Sequence, residues 1–186
     1  PMAHSITTRR GDDGTTALLF GQRVPKDHPQ IEAVGVFDEV NAALGFAKSV
    51  QPAGERHAAL EAIQRDLVAL MGELVCAESD AERYLASKFQ KLEPAALARV
   101  DAQIAALEAK QIRFDGWATP GATLPAAALD VARTVVRRAE RVLVHLPRQG
   151  RSVRPLVLQF ANRVADLLWL MAREAENEPG PSAPPA

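Results

Sequence analysis

Apolar positions repeat at three- and four-residue steps in five separate stretches of the chain, the spacing of a helix with one buried face. Ile31, Val34, Phe37, Asn41 and Leu44 share a side of a helix predicted over 30–50. After a break at Pro52 to Gly54, Leu60, Ile63, Leu67, Leu70, Met71 and Leu74 form a stripe over 55–78. Leu97, Val100, Ile104 and Leu107 form a third, to about 111, opened by Pro94 at a position that suits a first helical residue. Ala132, Val135, Val136, Ala139, Leu143 and Leu146 form a fourth after Pro125. The last helix, 153–176, carries a wide face of Leu156, Val157, Phe160, Val164, Leu167, Leu168 and Met171. Between these stretches, 79–93 is polar and reads as a loop with room for a short helical turn. Residues 1–29 lack a helical period, apart from a short strand expected at Ala17 to Phe20 and a loop over 24–29. The expectation is an all-α chain: an N-terminal arm 1–29, a helical domain 30–177, and a Pro-rich, disordered tail 178–186.

Polar positions on these helices carry the chemistry. Arg133, Arg137 and Arg141 lie four apart and form a line on the fourth helix, with Glu140 on the same side as Arg133. Such a line is either a solvated basic face or an anion site; Arg138 points elsewhere and reads as solvated. Asp38 sits at the shoulder of the first helix's apolar face, where a carboxylate must reach water or a cation. The last helix carries Asn162, Asp166 and Trp169 opposite its core face, with Leu170 beside them. Burial on both sides suggests a subunit contact. Phe114 and Trp117 lie on a Gly/Pro loop before the fourth helix, as a ligand lid or a plug for the bundle end.

Composition narrows the function classes. The 186 residues are 47% hydrophobic and only 5% aromatic, which favours helices over a sandwich or barrel. The net charge is −1, so no global field draws the chain to nucleic acid or to an anionic membrane. Any anion site must be local. No run of about twenty apolar residues is present to span a bilayer. Cys76 is the single cysteine, so no intrachain disulfide forms. It reads as a buried, inert thiol in a reducing, cytoplasmic setting. The start, Pro1-Met2-Ala3-His4, has no apolar signal region, and the leading proline reads as a cloning remnant.

The arm is dense in Thr, Arg, Gly and Asp. Gly11 and Gly14 let backbone N–H groups approach a phosphate, and Thr hydroxyls with Arg9, Arg10 and Lys26 could complete a cradle. No Gly-Lys-Ser/Thr follows, so this is not a Walker A loop. Asp12-Asp13-Gly14 lacks the alternating ligands of an EF-hand. On its own such a segment is more often a flexible arm than a nucleotide site.

Four blocks, in order, resemble the PduO-type ATP:cob(I)alamin adenosyltransferases, and the resemblance runs from about Thr7 to Arg173. They are T-R-R-G-D-D-G-T-T from Thr8 to Thr16, followed by Lys26; F-D-E-V-N-A-A-L-G from Phe37; P-G-A-T-L-P-A-A-A-L-D-V-A-R-T-V-V-R-R-A-E-R from Pro120; and F-A-N-R-V-A-D-L-L-W-L-M-A-R from Phe160. The resemblance implies a five-helix bundle with an extended nucleotide-binding arm, assembled as a homotrimer with active sites between subunits. It implies that Thr8, Arg9, Arg10, Gly11, Asp12, Gly14, Thr15, Thr16 and Lys26 hold ATP, completed by Arg137, Glu140, Arg141 and Asn162. It implies that Arg133 pairs with Asp38 across the interface beside the corrin, and that Trp117 takes the place of the family's lower-face Phe. Four positions depart from the family pattern: Trp117 itself, Ala122 after Gly121, Asp130, where His is common, and Arg10, where a small polar residue is common.

The implied reaction is adenosyl transfer to Co(I), with Mg²⁺ accompanying ATP and cobalamin as substrate. A flavin reductase and a B12-dependent acceptor enzyme are the implied partners. Protein side chains are not expected to supply a metal site. A strong metal nucleophile needs no general base, and the sequence offers no convincing Ser/His/Asp or Cys/His set. The competing reading is a non-catalytic helical module that binds ATP or a polyanion through the arm and the arginine line, as a cobalamin carrier or sensor.

Overall fold

The computed structural model describes residues 7, 9–112 and 117–178. Two short strands precede six α-helices: β1 (Thr15–Ala17), β2 (Arg23–Pro25), α1 (Pro29–Ser49), α2 (Glu55–Leu74), α3 (Ala81–Ala86), α4 (Pro94–Ala109), α5 (Leu124–His145) and α6 (Pro155–Glu176). Five are long, and α3, of six residues, lies in the segment expected as a loop with room for a short helical turn. The sequence-based expectation of five helices therefore becomes six among the described residues. No helix there is long and apolar enough to cross a membrane. Of the Pro-rich tail only Glu178 is described.

The long helices run up and down and are pinned at their ends by side chain–backbone bonds. Gln30, buried at the start of α1, donates through Nε2 to the carbonyls of Leu74 and Cys76 at 2.6 and 2.8 Å. At the far end Gln51 Nε2 reaches the Pro125 carbonyl at 3.1 Å, so α1 and α5 are antiparallel. Thr123 caps α5 by accepting from the Ala126 N–H at 3.2 Å. Its hydroxyl also donates to the Ala175 carbonyl at 3.4 Å, setting the start of α5 against the end of α6. α1 packs between α2 and α5, and α6 between α5 and α4.

The periodicity located the core well on α5 and α6. Ala132, Val136, Ala139, Leu143 and Leu146 are buried, and so are Phe160, Val164, Leu167, Leu168 and Met171. On α1 the face is rotated: Ala33, Val36, Phe37, Val40, Leu44 and Ala47 are buried, while Ile31 and Val34 are only partly covered. The small alanines let neighbouring helices approach closely, a signal that a count of large apolar residues misses. α2 ends at Leu74, earlier than expected, and Cys76 lies just beyond it, buried. Burial pushes the Cys76 thiol up, which keeps it in the unreactive protonated form.

Candidate active site

The arm is folded where it is described, against the expectation of a loop. β1 and β2 pair antiparallel, with Thr16 opposite Val24. The strand expected at Ala17 to Phe20 lies earlier, at Thr15–Ala17; residues beyond it turn back, with the Leu18 N–H donating to the Gln22 carbonyl at 2.8 Å. The Leu19 N–H donates to the Val75 carbonyl at 3.0 Å, and Leu18 is buried, so the hairpin is fastened to the end of α2. Arg83 lies over the Phe20 ring at 4.1 Å and adds a second fastening.

The loop of Arg9 to Gly14 leads into this hairpin. Arg9 has φ 58°, uncommon for a residue with a side chain, and Gly14 has φ 79°. The Gly14 N–H donates to the Gly11 carbonyl at 3.2 Å, and the Gly14 carbonyl accepts from the Lys26 N–H at 2.9 Å. A Cβ at Gly11 would meet Lys26 Cε and Nζ at 3.1 Å, so the ammonium lies directly on the glycine backbone. Asp13, which the site prediction passed over, organises the loop: its Oδ1 accepts from the Thr15 hydroxyl at 2.7 Å and the Thr15 N–H at 2.9 Å. Those bonds, chiefly that of the Thr15 hydroxyl, hold the Asp13 carboxyl below the usual carboxylate range. Arg23, also passed over, donates to the Arg10 carbonyl at 2.7 Å and to the Thr15 hydroxyl. Of the predicted arm residues, Arg9, Arg10 and Asp12 are exposed, Thr15 and Thr16 half-buried in β1, and Thr8 lies outside the described residues.

On the helices, Glu140 and Asn162 meet: Asn162 Nδ2 donates to Glu140 Oε1 at 3.0 Å. The Asn162 carbonyl oxygen accepts from Arg163 Nη1 at 2.7 Å. Arg137 and Arg141 are exposed along α5 beside this pair. Since α5 ends and α6 begins at the end of the bundle where α1 starts, this polar group lies at the same end as the arm. Arg138 bonds Glu39 of α1 at the surface, as a solvated side chain would. Asp38 is exposed and makes no hydrogen bond or ion pair with any described residue. Arg133 bonds Asp130 through Nε at 2.8 Å, within its own helix. Trp117 is 93% exposed, so within one chain it plugs nothing; Phe114, its companion on the loop, lies outside the described residues.

Sequence reading missed the buried charges altogether. Asp130 and Arg173 are joined at 2.6 Å and each is 2% exposed. Asp66, also buried, bonds Arg99 at 2.8 Å. Arg56 is held by Gln51, Glu174 and Glu178 beside a cavity of about 330 Å³ between the ends of α4 and α6 and the start of α2. Charges read by type default to the surface. The one available signal was position, since Asp130 and Arg173 each fall one or two residues from core positions of their helices.

Three comparisons bear on this arrangement. Residues 6–175 match the profile of the cobalamin adenosyltransferase family. The chain is 37% identical over 177 residues to the corrinoid adenosyltransferase PduO of Salmonella typhimurium, covering 94% of this chain and 50% of that protein. It is also 37% identical over 169 residues to the cobalamin adenosyltransferase of Cupriavidus metallidurans, covering 90% of this chain and 86% of that one. The chain thus spans about half the length of some curated relatives and most of others. In three dimensions it is similar to a single-residue variant of the PduO-type ATP:corrinoid adenosyltransferase of Lactobacillus reuteri, solved with cobalamin and ATP. That match has a TM-score of 0.81 at 32% identity and covers 92% of this chain and 93% of the other.

Proposed function

Because the chain belongs to the cobalamin adenosyltransferase family, we propose that it transfers the 5′-deoxyadenosyl group of ATP to the cobalt of reduced cobalamin. The observation that carries this reading is the Lys26 ammonium lying against Gly11, where a Cβ would stand 3.1 Å from Nζ, in a loop held by its own hydrogen bonds. A small residue and a cation so placed make a receptor for phosphate oxygens.

The step forms one bond and breaks one. Co(I) donates its electron pair to C5′ of ATP, the C5′–O bond breaks, and triphosphate leaves with that bond's electrons. The cobalt becomes formally Co(III). The protein then has two main tasks: to hold C5′ in line with the cobalt and the leaving oxygen, and to meet the charge that grows on the triphosphate. Lys26, Arg9, Arg10 and Arg137 are suited to the second, and Arg141 adds to the positive field. Glu140, which accepts from Asn162, would use its remaining acceptor capacity on the nucleoside hydroxyls. Mg²⁺ enters on the triphosphate and offsets part of its charge.

The assembly in this proposal is a homotrimer with sites between subunits. The exposed Asp38 then meets Arg133 of a neighbour beside the corrin, and the exposed Trp117 covers the corrin's lower face. A reductase supplies Co(I), and a B12-dependent enzyme of the cytoplasm accepts the product.

The test is to incubate the chain with ATP, Mg²⁺ and chemically reduced cobalamin and to follow the absorption of the light-sensitive Co–C product. Product formation that depends on enzyme and ATP is the expected result. Tight binding of both substrates without product would replace the reading with a carrier or sensor.

A further inference from the structure

Deep in the contact of α5 with α6 lies a buried ion pair. Asp130 and Arg173 are each 2% exposed. Apolar residues of similar volume often hold such a site as well or better. The cluster even leaves Arg173 Nε buried without a partner among the described residues. Arg173 is otherwise well held: it donates to Asp130 Oδ2 at 2.6 Å and to Glu176 at 2.8 Å, and it lies 5.6 Å from the centre of the Trp169 ring.

The pair has an outlet to the surface. Asp130 turns its other oxygen, Oδ1, to Arg133 Nε at 2.8 Å, and the Arg133 side chain is 22% exposed. A bond through Nε grips the side edge of the guanidinium. It fixes the plane of the group and leaves the end-on fork of Nη1 and Nη2 unused by Asp130. That fork is the part of arginine that matches a carboxylate.

We infer that Asp130, anchored by Arg173, is a positioning residue that orients Arg133 so that its terminal nitrogens engage the partner subunit's Asp38 beside the cobalamin. Arg173 holds the Asp130 carboxylate in place, and Asp130 passes that fixed geometry to Arg133. The role of Arg133 toward cobalamin rests on the proposed adenosyl transfer; its orientation by Asp130 does not.

A double-mutant cycle on the full chain tests this. Asp130→Leu with Arg173→Met removes the buried pair as a unit and keeps apolar volume, so the fold and oligomer should persist. The KM for ATP should stay unchanged, while turnover with reduced cobalamin should fall roughly tenfold or more, the scale of a misplaced contact. Arg133→Ala should then cost much less in the pair-deleted protein than in the parent. An equal cost in both backgrounds overturns the inference. If the pair-deleted chain does not fold, Asp130→Asn, which keeps the shape, enters the same cycle with the same criterion. A parent chain that makes no adenosylcobalamin refutes the transfer reading alone. Positioning is then decided by ¹⁵N NMR of the arginine Nε–H groups. A sharp Arg133 signal that broadens or shifts when the pair is removed supports it, and a signal that does not change overturns it.

Discussion

At the scale of single residues, Gly11 and Lys26 make the sharpest claim. A methyl group at Gly11 would stand 3.1 Å from the end of the Lys26 side chain and 3.3 Å from the Thr15 carbonyl. The lysine is flexible, so the fold absorbs the change and the ammonium moves. Gly11→Ala should therefore raise the KM for ATP several-fold while altering stability by no more than about 0.5 kcal/mol. Nucleotide titration beside thermal unfolding separates the two effects, and an unchanged KM would remove this contact from the phosphate site. The sequence made both residues visible, since Gly and Lys in a Thr-rich arm point to phosphate. Asp13 and Arg23 stayed hidden because their work is local. They shape the loop through Thr15 and the Arg10 carbonyl, and nothing in their spacing announces that.

At the scale of elements, α5 and α6 were readable because their apolar steps are strong and their ends carry Pro and a capping Thr. The β hairpin was not, because three-residue strands are too short for alternation to appear. α3 was legible only as room for a short helical turn within a loop, because six residues give less than two turns of periodicity. The two faces of these helices should respond differently to substitution. Phe160 is fully buried on α6, and Phe160→Ala should cost about 3–5 kcal/mol through lost burial and the cavity left behind. Arg138 pairs with Glu39 at the surface, and Arg138→Ala should cost at most about 1 kcal/mol, with turnover unaffected. Chemical denaturation measures both. A loss above about 2 kcal/mol for Arg138→Ala would mean that α1 and α5 depend on that pair far more than exposed ion pairs usually allow.

At the scale of the whole molecule, one chain leaves several groups without the surroundings their types demand. Trp117 is almost wholly exposed, and Phe46, Leu124 and Val131 are more than half exposed. Apolar surface of this kind marks a contact face, and a homotrimer with shared sites would cover it. The last helix was expected to be buried on both sides, but Trp169 and Leu170 remain partly exposed in one chain. Sharing of the site can be tested by complementation. Lys26→Ala cripples the arm. Arg137→Ala removes the charge proposed to meet the triphosphate, and losing one preorganised charge typically lowers the rate about 10²–10³-fold. If the arm of one subunit works with α5 of its neighbour, unfolding and refolding the two variants together creates some interfaces with both parts intact. Random closed trimers would carry about one such site in four. Activity should then rise far above that of either variant alone, toward about a quarter of the parent's. If the arm and Arg137 of the same subunit serve one site, every site keeps one defect and the mixture stays as poor as its components. That result would place the arm and Arg137 of each site on one subunit and overturn their sharing between neighbours.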